Sequence, residues 1–463
     1  MHQLLDLAAA ALDTSLEAQY TFAALQPAEL EVTDYGHVRI ARTGPARADI
    51  GGWQMAKLQE QARGYLSKNA GQPDRTDSHT PASPATSGGE PGQRETMRSL
   101  WQEDARSSTG FQAMNAKGLL AVDDQLLAHC GFGLDSVAAV LGTAANWDVP
   151  AEPHPPVAQV SRAAFTDAAA TSSGLPQEQI EAAVLACTLN REKILHDGLR
   201  YWQIKERSAR LALRPLIEPP DSDRAGELWV LPRCAHRTQS LLLTYLNSQQ
   251  LPWPGRDLPE TVRQAVTAWH NQAEAQLERE LAAAATTAGL PHRLNLKPQK
   301  AARLGLRLPG EIDLIAADPA RRRIWIVEAK HLRPIYSPLE IGSRIADFHG
   351  SEALSLGQGT MQYKQLKSRA FRPYVSRVIA NSRAIQENKQ AAILLIGEGP
   401  SQVRLSKAIA DDWEVVPLIV TTSVEVSAFV ADPAVTFVLA DHLAALFSAS
   451  EQPPMGWWMP QLA

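Results

Sequence analysis

Apolar residues recur every three or four positions through much of the first half of this chain. "QEQIEAAVLACTL" and "ILHDGLRYWQI" show the pattern, as does the alanine- and leucine-rich opening. That period predicts amphipathic helices. Residues 1–66 read as one helical segment and 96–150 as a second. Between them, 67–95 ("SKNAGQPDRTDSHTPASPATSGGEPGQRE") hold almost nothing able to pack, and this stretch is predicted to be a disordered linker. Four prolines in "NWDVPAEPHPPV" mark a boundary, after which 157–255 read as a helical module with one short strand in "ELWVL". A small helical bundle is its favoured form, and a helix-turn-helix arrangement is the alternative.

The texture changes at residue 257. A long helix is predicted with Val262, Val266, Trp269, Ala273, Leu277, Leu281 and Ala285 along one stripe, ended by Gly289 and Pro291. Strands are predicted near 292–297, 310–317 and 322–331, followed by a mostly helical stretch from about 340 to 388. Two more strands, "AAILLIG" (391–397) and "EVVPLIVTT" (414–422), and a helix near 440–448 complete a domain over 257–450. The predicted class is α/β, an α+β mixed sheet flanked by helices, preceded by a mostly α-helical N-terminal region.

Bulk composition narrows the function classes. With 44% hydrophobic and 21% charged residues over 463 positions, the chain is of ordinary globular type. No apolar run approaches membrane-span length, and Asp6 and Asp13 interrupt the opening, so neither a membrane partner nor a signal peptide is expected. Cys130, Cys187 and Cys234 are odd in number and far apart, which points to a reducing, cytoplasmic setting without a disulfide framework or structural zinc. The net charge of −5 is uneven. From Asp257 onward, 22 Lys and Arg face 21 Asp and Glu, and residues 364–407 carry nine basic side chains and two acidic ones. A local basic surface favours a polyanion whatever the overall charge, although a solvated helix face explains the same count.

The candidate chemistry lies in residues 310–334, "GEIDLIAADPARRRIWIVEAKHLRP". Alternation puts Ile324, Ile326, Glu328 and Lys330 on one side of a strand, and Trp325, Val327 and Ala329 on the other. A run apolar on both faces belongs inside a sheet, so Glu328 and Lys330 end a buried strand and point the same way. The turn "DPARRR" would fold that strand back beside "EIDLIAA" and bring Asp313 alongside Glu328. Two adjacent carboxylates repel unless a proton or cation intervenes, and oxygen ligands suit Mg²⁺ or Mn²⁺. A surface ion pair of Glu328 and Lys330 is the plainer reading of "EAK" taken alone.

Taken together, "GEIDLIA" and "RRIWIVEAK" resemble the core of the PD-(D/E)XK nuclease superfamily, over roughly residues 257–448. The resemblance implies a restriction-endonuclease-like fold and Mg²⁺-dependent hydrolysis of phosphodiester bonds, usually in DNA. It implies that Asp313 and Glu328 bind the metal and that Lys330 supports the attacking water. It also implies a glutamate from the preceding helix, Glu278 first and Glu280 second, although either reads equally well as a helix-surface charge. From "MQYKQLKSR" it implies a phosphate-touching glutamine, Gln365 first and Gln362 second. Ile312 stands where the pattern often has proline. The segment "HLRPIYSPLEIGSRIADFHG" beside the site reads equally as a lid or DNA-gripping insertion and as a long connection. The N-terminal helical region would bring a protein partner or substrate, and the pattern leaves room for a homodimer. A non-catalytic nucleic-acid-binding or scaffold protein on the same fold, or an RNase, is the alternative.

Overall fold

The computed structural model describes residues 28–32, 38–42, 48–69, 97–107, 110–148, 157–196, 213–219, 226–253, 257–303, 305–332, 335, 338–350, 373–397 and 412–460. The predicted linker lies outside them from residue 70 onward, as do Gln362 and Gln365. The chain forms two compact units, one of Met1–Asp77 with Gln276–Ala463, the other of Ser78–Ala275. The second is therefore an insertion in the chain of the first.

The N-terminal segment corrects a sequence expectation. Residues 1–66 were expected to be helical, but Ala28–Val32 (β1) and Val38–Arg42 (β2) pair as an antiparallel hairpin before helix α1, Ile50–Asn69. "AELEV" alternates apolar and polar residues with period two and "VRIAR" does so as far as Ile40, a short strand signal that the neighbouring alanine-rich sequence outweighed. Trp53 and Ala56 of α1 are buried with Ile341, Ile345, Val424 and Val426 from the C-terminal part of the same unit. The Trp53 indole N–H donates to the Val424 carbonyl at 3.0 Å.

The inserted unit begins with helices α2 (Met97–Ser107), α3 (Gly110–Cys130) and α4 (Leu134–Ala145), as its apolar spacing predicts. It continues through β3 (Ala158–Ser161), α5 (Arg162–Ser173), α6 (Gln177–Ala186), β4 (Thr188–Leu189) and α7 (Arg191–His196). Strands β5 (Leu216–Ile217) and β6 (Glu227–Val230) and helix α8 (Pro232–Asn247) follow. The expectation of one short strand is corrected here: four strands form a sheet in the order β3-β6-β5-β4. Two of them are two residues long, too short to display any period. Phe165, Ile180, Leu216, Leu228 and Trp269 are fully or almost fully buried in its core.

Helix α9 (Glu260–Thr287) carries the predicted stripe. Its residues up to Ala275 belong to the inserted unit and those from Gln276 to the sheet unit. The sheet unit then runs β7 (His292–Leu296), α10 (Pro298–Ala302), β8 (Ile312–Asp318) and β9 (Arg323–Lys330). Helices α11 (Pro338–His349), α12 (Tyr374–Glu387) and α13 (Lys389–Gly397) precede β10 (Glu414–Thr421), β11 (Thr436–Leu439), α14 (Leu443–Ser448) and β12 (Gly456–Trp457). The six strands lie in the order β12-β11-β10-β9-β8-β7. Pairs β7–β8 and β8–β9 are antiparallel, while β9–β10, β10–β11 and β11–β12 are parallel. The architecture is a mixed α/β sheet with helices on both faces.

Two expectations for this unit change. "AAILLIG" is helical, not a strand: α13 buries Ala392, Leu395 and Ile396. A short run apolar on every side satisfies a buried strand and a buried helix alike. The deciding signal is Asn388, whose side-chain oxygen accepts from the Ala391 N–H at 3.1 Å, as an N-cap does. The segment beside the site, left open between lid and connection, is in its described part mainly α11, whose Ile341, Ile345 and Phe348 are buried. Among the described residues no single helix is long and apolar enough to cross a membrane.

Candidate active site

The site is built at the end of the β8–β9 hairpin. Asp318 closes the turn by accepting from the Arg321 backbone N–H at 3.1 Å and the Arg321 guanidinium at 2.6 Å, and Arg322 takes a left-handed φ of 55°. The register then runs from Asp318 opposite Arg323 to Leu314 opposite Val327. One position further along that register stand Asp313 and Glu328. The ladder gives way there to a side-chain contact, with Asp313 Oδ2 accepting from the Ala329 N–H at 2.7 Å. Ile315, Ala317, Ile324 and Ile326 belong to one apolar core and Leu314, Ala316, Trp325 and Val327 to another, as strand alternation requires.

Lys330 joins the two carboxylates. Its Nζ lies 2.5 Å from Glu328 Oε1 and 3.8 Å from Asp313 Oδ2. The three residues that the sequence singled out therefore form one cluster. Their exposures differ: the side chain of Glu328 is 1% exposed, Lys330 19% and Asp313 24%. A buried carboxylate needs cationic or hydrogen-bonding partners. Glu328 has a second one that the sequence reading missed. The Arg377 guanidinium from α12 grips it in bidentate fashion, Nη2 to Oε1 and Nε to Oε2, the latter at 3.2 Å. Burial pushes the Arg377 guanidinium below its ordinary range, opposed by the charges of Asp313 and Glu311.

Tyr374, one turn before Arg377, forms a wall of the cluster. Lys330 Nζ lies 4.9 Å from its ring centroid, and the Arg377 guanidinium carbon lies 5.3 Å from it. One turn after Arg377, Asn381 accepts from the Gly310 N–H at 3.2 Å and donates to the Glu311 carbonyl at 3.1 Å, which pins the entry to β8. A Cβ on Gly310 would lie 3.2 Å from the Arg377 side chain, which would have to give by a few tenths of an ångström to accept it. The signal for these residues was present in "YVSRVIANSR". Tyr374, Arg377 and Asn381 follow helical spacing among the buried Val378 and Ile385, so polar groups interrupt an apolar stripe.

Glu278 and Glu280 separate. Glu278 accepts from the Asn295 side-chain amide at 2.9 Å. Asn295 lies on β7 between the paired positions Leu294–Leu314 and Leu296–Ile312, hence across from Asp313. Its φ of 50° is left-handed, and Leu294 and Leu296 accordingly pack on opposite faces, where a regular strand would put them on one. Glu278 is thus one residue removed from Asp313. Glu280 instead accepts from Gln276 at 3.2 Å. Burial raises its pKa, and the nearby Asp441 adds to that shift. Gln365 and Gln362 lie outside the described residues.

The donor chemistry at Asp313 and Glu328 is hard oxygen, as Mg²⁺ or Mn²⁺ requires. Both oxygens of Glu328 are engaged by Lys330 and Arg377, so the carboxylates already have a matching pair of positive charges. Among the described residues no group of three or more His, Cys, Asp or Glu side chains is arranged to hold a metal ion. The residues fit a divalent cation on the condition that Arg377 yields its place on Glu328. Comparison of the chain with protein-family models, with curated proteins and with solved structures returns no match.

Proposed function

We propose that the sheet unit is a restriction-endonuclease-like domain that hydrolyses phosphodiester bonds in DNA with Mg²⁺ or Mn²⁺. One observation carries the reading: the Lys330 ammonium lies within 4 Å of carboxylate oxygens on two neighbouring strands, 2.5 Å from Glu328 and 3.8 Å from Asp313. Asp313 and Glu328 are the residues that would hold the cation, and Glu278, through Asn295, would steady Asp313's neighbour strand. When bound, the cation supplies Lewis acidity to a phosphate oxygen and a lowered pKa to water. Lys330 holds an oxygen nucleophile at the carboxylates and stabilises the negative charge that grows on phosphorus. The buried strand makes this arrangement rigid, which is what such a site needs. The free cysteines Cys130, Cys187 and Cys234 suit the reducing cytoplasm.

The test is incubation of the full chain with supercoiled, linear and single-stranded DNA and with RNA, with and without Mg²⁺ or Mn²⁺. DNA cleavage in the presence of the metal alone is expected. Lys330→Ala should lower the rate by about 10²-fold or more while circular dichroism shows the fold retained, although the variant should melt earlier because the buried Glu328 loses one of its two cations. Full activity of that variant on plasmid DNA would remove the proposed mechanism.

A second reading has an observation of its own. The charge balance of Asp313 and Glu328 against Lys330 and Arg377 is complete without a metal, as expected of a scaffold or nucleic-acid-binding protein on this fold. Mn²⁺ titration separates the two. Binding that is lost in Asp313→Asn supports the nuclease, and absence of binding supports the scaffold.

A further inference from the structure

The connection between β7 and β8 spans residues 297–311 and is unlike its surroundings. From His292 to Gly310 the chain holds no aspartate or glutamate. Lys297, Lys300, Arg303 and Arg307 are all exposed, and none of the four is ion-paired to another described residue. The backbone that carries them is well anchored. Ala301, Leu306 and Leu308 are buried in the core beneath, and Asn381 holds the far end at Gly310 and Glu311. Lys297, Lys300 and Arg303 follow one another at three-residue steps around the short α10, about 4.5 Å of rise per step for helical geometry. Leu296 pairs with Ile312, so the connection leaves and rejoins the sheet at the end that carries Asp313, Glu328 and Lys330.

We propose that this connection is the surface that grips duplex DNA, with Lys297, Lys300, Arg303 and Arg307 neutralising backbone phosphates beside the carboxylate site. The inference rests on the nuclease reading and names where its substrate is held. Residues 297–310 contain no aromatic side chain, hence no platform for unstacked bases, which single-stranded nucleic acids require. Gln299 is the only uncharged polar side chain among them, too little to read the ribose hydroxyls that distinguish an RNA helix. A row of anchored cations with nothing else to offer suits the charge of a DNA duplex.

The experiment is fluorescence anisotropy of the full chain with a labelled DNA duplex in EDTA, across a range of salt concentrations. Four phosphate contacts contribute about 3 to 4 to the slope of log K against log salt. The variant K297Q/K300Q/R303Q/R307Q should lose about that much slope and bind at least about tenfold more weakly at moderate salt. The charge-conserving variant K297R/K300R/R303K/R307K should keep both. The paired variants K297Q/K300Q and R303Q/R307Q should each lose about half of the slope change, and they keep the test open if the fourfold variant does not fold. Unchanged slope and affinity in the glutamine variants, with wild-type protein that binds and cleaves DNA, would overturn this surface and leave the nuclease reading standing. Wild-type protein that binds no nucleic acid overturns both. Tighter binding to single-stranded DNA or RNA than to duplex DNA overturns the choice of substrate made here.

Discussion

Glu328 is the residue around which the site is organised. Its side chain is almost wholly out of water, and Lys330 and the Arg377 guanidinium answer its charge from two directions. A divalent cation and Arg377 would have to occupy the same oxygens. Arg377→Ala should therefore melt earlier in EDTA, by about 3 kcal/mol of stability. That is the lower end of what losing one partner of a buried charge costs, because the Arg377 side chain is itself 32% exposed. Mn²⁺ should restore much of that loss in the variant, and calorimetry should show Mn²⁺ binding at least about tenfold tighter than in the wild type, equivalent to about 1.4 kcal/mol. Equal affinity in the two proteins would mean that guanidinium and metal do not compete. A second residue sets a pH dependence. Burial lowers the pKa of His349 from its ordinary 6.5, opposed by the bond to the Ser427 carbonyl at 2.8 Å. As the pH falls through about 6.5 the unfolded chain takes up this proton before the folded one, so stability present at neutral pH is lost on acidification. The drop in melting temperature between about pH 7.5 and 5.5 should be smaller in His349→Gln than in the wild type.

At the scale of elements, helix α9 shows how far periodicity reaches. Val262, Trp269, Ala273, Leu277, Leu281 and Ala285 all lie on the predicted stripe and are all buried. The stripe does not say what it packs against. Its first half enters the core of the inserted unit and its second half the core on one face of the mixed sheet. In the first half the Trp269 indole N–H donates to Asn115 at 2.9 Å, and Gly118 leaves room for the ring. A Cβ on Gly118 would run into the Trp269 indole. Gly118→Ala should therefore destabilise the inserted unit by about 1–3 kcal/mol through overpacking, although alanine is the better helix former by about 1 kcal/mol. Denaturant unfolding of that variant decides which effect wins; a stabilised protein would show that α3 can shift away. Helix α13 marks the opposite case, where a uniformly apolar run carried no period and only the cap at Asn388 distinguished helix from strand.

For the molecule as a whole, the consequential feature is that the first 77 residues and the last 188 form one unit around the insertion. Trp53 is 5% exposed and Ala48 2%, and both share a core with α11 and with residues 424–426. Deletion of residues 1–69 should thus expose Ile341, Ile345 and Val424, costing on the order of 3–5 kcal/mol if Trp53 alone is counted. A chain starting at residue 70 should melt clearly lower than the full chain and bind more of a hydrophobic dye. An unchanged melting temperature would show that the sheet unit is complete without its N-terminal segment.

The order of amino acids by itself determined the hairpin of β8 and β9, the stripe of α9 and the convergence of Asp313, Glu328 and Lys330. Each of these depends on neighbours close in sequence, where strand alternation, turn chemistry and helical period leave few choices. The partners brought from afar were decided only in three dimensions. Arg377 lies 49 positions from Glu328, and Trp53 meets Val424 across 371. No local period encodes such distances, because packing selects them by shape and by the need of buried charges for a partner.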